Sequence, residues 1–217
     1  MIDIQSISKT FQQWSESIHL YNSLSVTIEA WEFVMLTGQS GSGKTTLFNI
    51  VAGLEKADEW EVMINGKNIQ SLSSNERSSF FAKTISFVFQ SFHLVPQLTV
   101  RENLELPWDL SMIKQRYSVE EILWLVGIDK KINSYPDQLS WGEQQRVAIA
   151  RAFMYKTPVL LADEPTGNLD LWNSENIMQL IKQLQKKTWV TIFMITHEQE
   201  LLHRADRTIT MSELLTQ

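Results

Sequence analysis

The sequence predicts an α/β domain with a largely parallel sheet, and three observations carry that expectation. Short apolar runs alternate with helix-patterned segments along most of the chain. A glycine-rich turn at residues 38–45 follows one apolar run and opens a helix. A second apolar run, residues 159–162, ends directly in two carboxylates, Asp163 and Glu164.

In chain order, the first 35 residues read as short strands, one alternating at 25–30 and one apolar at 33–36. The glycine-rich turn leads into a helix over about 44–52. Residues 61–64, then Asn65-Gly66 and a polar strand, suggest a hairpin, because Asn-Gly suits a tight turn. Residues 84–89 read as another strand. Residues 90–145 hold Pro96, Pro107 and Pro136 around helical stretches, notably 119–126, and look like an inserted helical subdomain between core segments 1–89 and 146–217. Ser140 followed by Glu143 is a capping box that starts a helix continuing through 146–155. A buried strand at 159–162, a helix at 174–187 and a strand at 190–196 complete the pattern.

Composition narrows the function classes. The chain has 217 residues with 43% hydrophobic and 20% charged, an ordinary globular balance for one large domain. Net charge is −6, which argues against a broad nucleic-acid footprint. There is no cysteine, so thiolate catalysis, disulfides and Cys-zinc sites are excluded. No apolar stretch approaches the ~20 residues that span a bilayer, and the start, MIDIQSISKT, lacks the pattern of a signal peptide. A membrane role is expected only through a partner.

Residues 38–45 read GQSGSGKT, which fits G-x-x-x-x-G-K-[ST] in its required strand–turn–helix setting. The glycines let Gly38, Gln39, Ser40, Gly41, Ser42 and Gly43 curl with backbone N–H groups facing inward onto phosphate. Lys44 would neutralise the β- and γ-phosphates. The Thr45 hydroxyl would hold Mg²⁺, with Thr46 beside it. Asp163 would bind Mg²⁺ directly or through water, and Glu164 would orient or deprotonate the attacking water.

With the phosphate loop, VLLADEP and LSWGEQ in this order, the chain resembles the nucleotide-binding subunit of an ATP-binding-cassette (ABC) transporter. The resemblance covers essentially the whole chain. It implies a P-loop NTPase (RecA-like) core with a small antiparallel β-subdomain and an inserted α-helical subdomain. It also implies a head-to-tail dimer with two ATP molecules at the interface. Gln90, after ISFVF, matches the glutamine that senses Mg²⁺ and links to the transmembrane partner. LSWGEQ resembles the signature LSGGQ, with Ser140 and Gly142 matching and Trp141 departing. Asp170 in GNLD matches the loop that crosses the interface. His197 matches the switch histidine that contacts the γ-phosphate, and Phe11 falls where the family stacks an aromatic on adenine. SFHLVPQLTVRENLELP, DEPTGNLD and the tail from ITHEQELLHRADRTITM are similar to the lipoprotein-releasing and macrolide-efflux type, with the cell-division type next.

These features imply an ATPase driving a separate integral-membrane permease, cytoplasmic and held at the inner face of the membrane through it. A weakly hydrolysing ATP-binding scaffold is the second class, favoured by Trp141 as written. DNA-repair and chromosome-organising ATPases share the motifs but carry long coiled-coil or DNA-binding insertions, whereas residues 90–145 show no sustained heptads.

The tryptophans are the compositional anomaly. The chain has eight Trp and eight Gly, and glycine stands at about half its usual ~7%. Trp31, Trp60, Trp141 and Trp189 fall where the resembled family has glycine, and Trp31 and Trp189 sit at turn or helix-end niches that favour it. Trp14, Trp108, Trp124 and Trp172 show no clear need for an indole. Replacing all eight would bring glycine to sixteen. The expected origin is decoding: UGA, read as glycine in some bacterial lineages, translated as tryptophan.

Overall fold

A computed structural model describes residues 1–13, 16–110 and 116–216, without the side chains of Gln13, Glu16, Trp60 and residues 107–110. Trp14 lies outside the described residues, as do the indoles of Trp60 and Trp108.

Two sheets form the frame. Strands β1 (Ile2–Gln13), β2 (Glu16–Ile28), β4 (Glu59–Ile64) and β5 (Lys67–Asn68) make an antiparallel sheet in the order β2-β1-β4-β5. Strands β3 (Phe33–Thr37), β6 (Ile85–Val88), β7 (Val159–Asp163), β8 (Thr191–Ile195) and β9 (Arg207–Thr210) make a parallel sheet in the order β6-β7-β8-β3-β9. The parallel sheet and the Asn65-Gly66 hairpin agree with expectation. The short N-terminal strands do not: β1 and β2 are 12 and 13 residues long. Register shifts after Ile4 and Ile7 break their alternation, so the pattern reads as fragments while the ladder continues.

Seven helices flank the sheets among the described residues: α1 (Lys44–Val51), α2 (Ser74–Thr84), α3 (Val100–Leu110), α4 (Val119–Leu125), α5 (Trp141–Met154), α6 (Leu171–Thr188) and α7 (Met211–Leu215). The sequence reading missed α2, β9 and α7. Helix α2 buries only Thr84, so it lacks the apolar face that periodicity detects.

The three central strands β7, β8 and β3 are buried on both faces, which explains their apolar runs. Phe33, Met35, Leu160, Ala162, Ile192 and Met194 face a core shared with α3, α4, α5 and α6. Their neighbours Val34, Leu36, Val159, Leu161, Phe193 and Ile195 face a second core with α1 and the antiparallel sheet. In register, Leu36 and Asp163 both stand opposite Ile195. The carboxyl ends of β3, β7 and β8 therefore emerge level and side by side, where open α/β sheets bind ligands.

Candidate active site

The loop after β3 wraps the start of α1. Gly43 caps that helix at φ 99, a left-handed conformation open to glycine. A Cβ there would stand 2.7 Å from Tyr21 Oη, and the Tyr21 hydroxyl donates to the Gly43 carbonyl. Burial drives the Tyr21 phenol far above its usual range, so it remains a neutral donor beneath the loop. Sequence reasoning missed Tyr21, because only the fold brings β2 under the loop.

Lys44 is buried, and its ammonium donates to the carbonyls of Gly38 and Gln39, each at 2.9 Å. The Ser42 hydroxyl is buried without a hydrogen-bond partner. An orphaned donor beside a held ammonium, within a loop rich in backbone N–H, suits a phosphate.

Asp163 ends β7. Burial first, and then the neighbouring charge of Glu164, raises its carboxyl above the usual range; a bound cation would relieve both effects. Glu164 sits at φ 44, a strained conformation for a non-glycine residue. Its N–H is held by the Ile195 carbonyl at 3.0 Å, and its carboxylate lies 3.0 Å from His197 Nδ1. Two contacts brace these loops that no sequence pattern signals: Thr166 donates to Glu198, and the Gln145 amide from α5 donates to the Pro165 carbonyl.

Phe11, Ser40, Gly41, Gly43, Lys44, Thr45, Thr46, Glu164 and His197 line one cleft of about 680 Å³, together with Leu20. Phe11 is 40% exposed there, with the Lys9 ammonium over its ring at 4.8 Å from the centroid. Gln90 stands by the loop after Glu164: its carbonyl accepts from Asn168 at 3.0 Å, and a Cβ on Gly167 would meet its amide nitrogen at 3.0 Å.

Ser140, Gly142 and Asp170 are not on this cleft. They cluster at the starts of α5 and α6. Ser140 caps α5, donating its N–H to Glu143 at 2.8 Å and receiving the Glu143 N–H at 3.3 Å. Asp170 caps α6 through the Asn173 N–H at 3.1 Å, and Asn173 in turn lies against Gly142. Trp141 stands at this helix start, 59% exposed, in an edge-to-face contact with Phe92 at 5.8 Å between ring centroids.

A parallel sheet carrying a G-x-x-x-x-G-K-T loop after β3 and Asp-Glu after β7 defines a P-loop nucleoside-triphosphate-binding core. The ABC transporter family model matches residues 21–167, and the chain belongs to that family. An uncharacterized ABC transporter ATP-binding protein of Methanocaldococcus jannaschii is 41% identical over 216 residues, 98% of this chain and 96% of that protein. The macrolide export ATP-binding/permease protein MacB of Rhodopirellula baltica is 37% identical over 218 residues, 98% of this chain but 32% of MacB. Among solved structures, the dimeric post-hydrolysis state of the ATP-binding cassette MJ0796, bound to ADP and Pi, matches with TM-score 0.84 at 36% identity, covering 97% of this chain and 94% of that one.

Proposed function

We propose that this chain binds and hydrolyses ATP as a head-to-tail dimer and so drives a separate integral-membrane permease, in export or lipoprotein release. The observation that carries this reading is the split site. One cleft joins Phe11, the phosphate loop, Glu164 and His197, while Ser140, Gly142 and Asp170 cluster outside its lining at the starts of α5 and α6. A second copy turned head to tail would bring its own cluster over the first chain's cleft. That the solved MJ0796 cassette is dimeric with ADP and Pi bound supports self-association.

In this reading the loop N–H groups and Lys44 hold the β- and γ-phosphates, Phe11 stacks on the base, and Gln39, Ser40, Ser42 and Thr46 line the phosphate cradle. Thr45, Asp163 and Gln90 would hold Mg²⁺ with the nucleotide's own oxygens. Among the described residues no group of three or more His, Cys, Asp and Glu could hold a metal by itself. Bound Mg²⁺ supplies charge neutralisation on the transferring phosphoryl group. Glu164 orients and deprotonates the attacking water, and its bond to His197 fixes the carboxylate's direction. The partner's α5 start adds N–H donors aimed at the developing negative charge.

Residues 90–145 serve as the helical arm that carries the start of α5. Permease docking is assigned to the cleft of about 320 Å³ lined by Phe92, His93, Leu94 and Pro96 against Pro136 and Asp137. Arg151 holds that segment through the Phe92 and His93 carbonyls at 2.8 and 2.7 Å. No described helix is long and apolar enough to cross a membrane, which supports a peripheral position at the inner face of the membrane through the permease. Substitutions across 92–94 are expected to abolish co-purification with the permease; intact co-purification would move the docking site elsewhere.

Phosphate release tests the chemistry. Lys44→Ala is expected to lose ATP binding, whereas Glu164→Gln should keep binding and lose turnover by about 10²-fold or more. Unchanged turnover in Glu164→Gln would show that another group activates the water.

A further inference from the structure

We infer that positions 31 and 189 are glycines in the native chain, and that the tryptophans written there, and with them Trp141, arise from a codon that its own cell reads as glycine.

The backbone carries the inference. Trp31 sits at φ 67 and Trp189 at φ 55. The other described non-glycine residues in this region are Ser6, Ser23, Asn65, His93, Lys156 and Glu164. The two tryptophans are the only large apolar side chains among them, and a Cβ is penalised there.

Each position is also locked. Residues 29–32 form a turn in which the Glu32 N–H reaches the Glu29 carbonyl at 3.2 Å, with Trp31 third. A left-handed third residue makes this a type II geometry, whose third position takes glycine. The Trp31 N–H donates to Thr191 at 2.9 Å and its carbonyl accepts from Gln185 at 2.6 Å, so the turn cannot relax. Trp189 ends the long helix α6 at φ 55 and ψ 38, its N–H bonded to the Gln185 carbonyl. That is the left-handed helix stop that glycine fills.

The side chains add an independent observation. Trp31, Trp124, Trp141, Trp172 and Trp189 are 60%, 70%, 59%, 74% and 65% exposed. None of these five described tryptophans stands among the buried core residues, where Phe33, Phe48, Phe153 and Phe193 lie, although tryptophan is on average a highly buried residue. The rings of Trp31 and Trp189 meet edge to face at 5.7 Å. A docking patch would account for that exposure but not for two left-handed backbones beneath it.

One codon, UGA translated as tryptophan but meaning glycine, explains both positions and the glycine deficit together. It then places glycine at 141 as well, next to Ser140 and Gly142, and clears the indole from the start of α5.

The test has two arms, and neither involves nucleotide, so its outcome is separable from the ATPase reading. The coding DNA is read at codons 31, 141 and 189, and the matching peptides of the protein from its own cells are sequenced by mass spectrometry. UGA codons with glycine in the peptides are expected. UGG at 31 or 189, or tryptophan in either native peptide, overturns the inference. In recombinant protein, the double variant Trp31→Gly/Trp189→Gly is compared with Trp31→Ala/Trp189→Ala. Both lose the ring contact, so the difference isolates the backbone. The glycine pair should melt roughly 4–8 °C above the alanine pair. Equal or reversed melting temperatures would show that neither position requires glycine.

Discussion

Glu164 combines a strained φ, a backbone tie to Ile195 and a 3.0 Å contact between its carboxylate and His197 Nδ1. Strain at a residue held from both sides fits the water-activating role proposed for Glu164. His197→Ala should therefore slow phosphate release while leaving ATP affinity nearly intact; equal loss of both would make His197 a binding residue alone. Asp163 carries the opposite tension. Its raised carboxyl pKa, from burial and then Glu164, means that ionisation costs folding free energy. The cost is absent below the unfolded pKa and is fully present above the folded one. Asp163→Asn should therefore raise the Tm of the nucleotide-free protein at pH 7, with the gain vanishing in acid, while Mg²⁺-dependent turnover falls. A lowered Tm at pH 7 would refute the tension. Lys44, Asp163 and Glu164 were legible because their motifs are local. Tyr21, Glu198 and Gln145 were not, since each reaches the site across many residues of sequence.

Helix starts show the same division. Ser73–Glu76, Thr99–Glu102, Ser118–Glu121, Ser140–Glu143 and Thr210–Glu213 all pair reciprocally. Backbone and side-chain hydrogen bonds hold these glutamates below their usual range. A depressed carboxylate contributes stability that is present above its unfolded pKa and is lost as pH falls through the folded one. Circular dichroism should accordingly show helix stability eroding as the pH drops below about 4.5, the ordinary glutamate value. Glu143→Gln should keep the α5 cap and remove its share of the acid sensitivity, whereas Ser140→Ala should cost about 1 kcal/mol at neutral pH. No acid effect from either glutamate variant or wild type would show that the caps do not contribute. The Ser140–Glu143 box was readable beforehand because an apolar helix follows it. The Ser73–Glu76 box opens α2, which has almost no buried face and so left no periodic signal.

At the scale of the molecule, two cores clamp the parallel sheet and hold β3, β7 and β8 level. Leu161→Ala, which empties a fully buried position of β7, should destabilise by about 2–5 kcal/mol, read as a shift in denaturant midpoint. That frame fixes the phosphate loop, Glu164 and His197 on one cleft and leaves Ser140, Gly142 and Asp170 outside its lining, at the starts of α5 and α6. In the proposed dimer each chain supplies half of the site. Analytical ultracentrifugation of the Glu164→Gln chain, carrying Trp141→Gly to clear the α5 start, tests the assembly directly. With Mg-ATP it should pass from monomer to dimer, and return to monomer when nucleotide is removed. A chain that binds Mg-ATP and stays monomeric at every concentration would contradict the shared site.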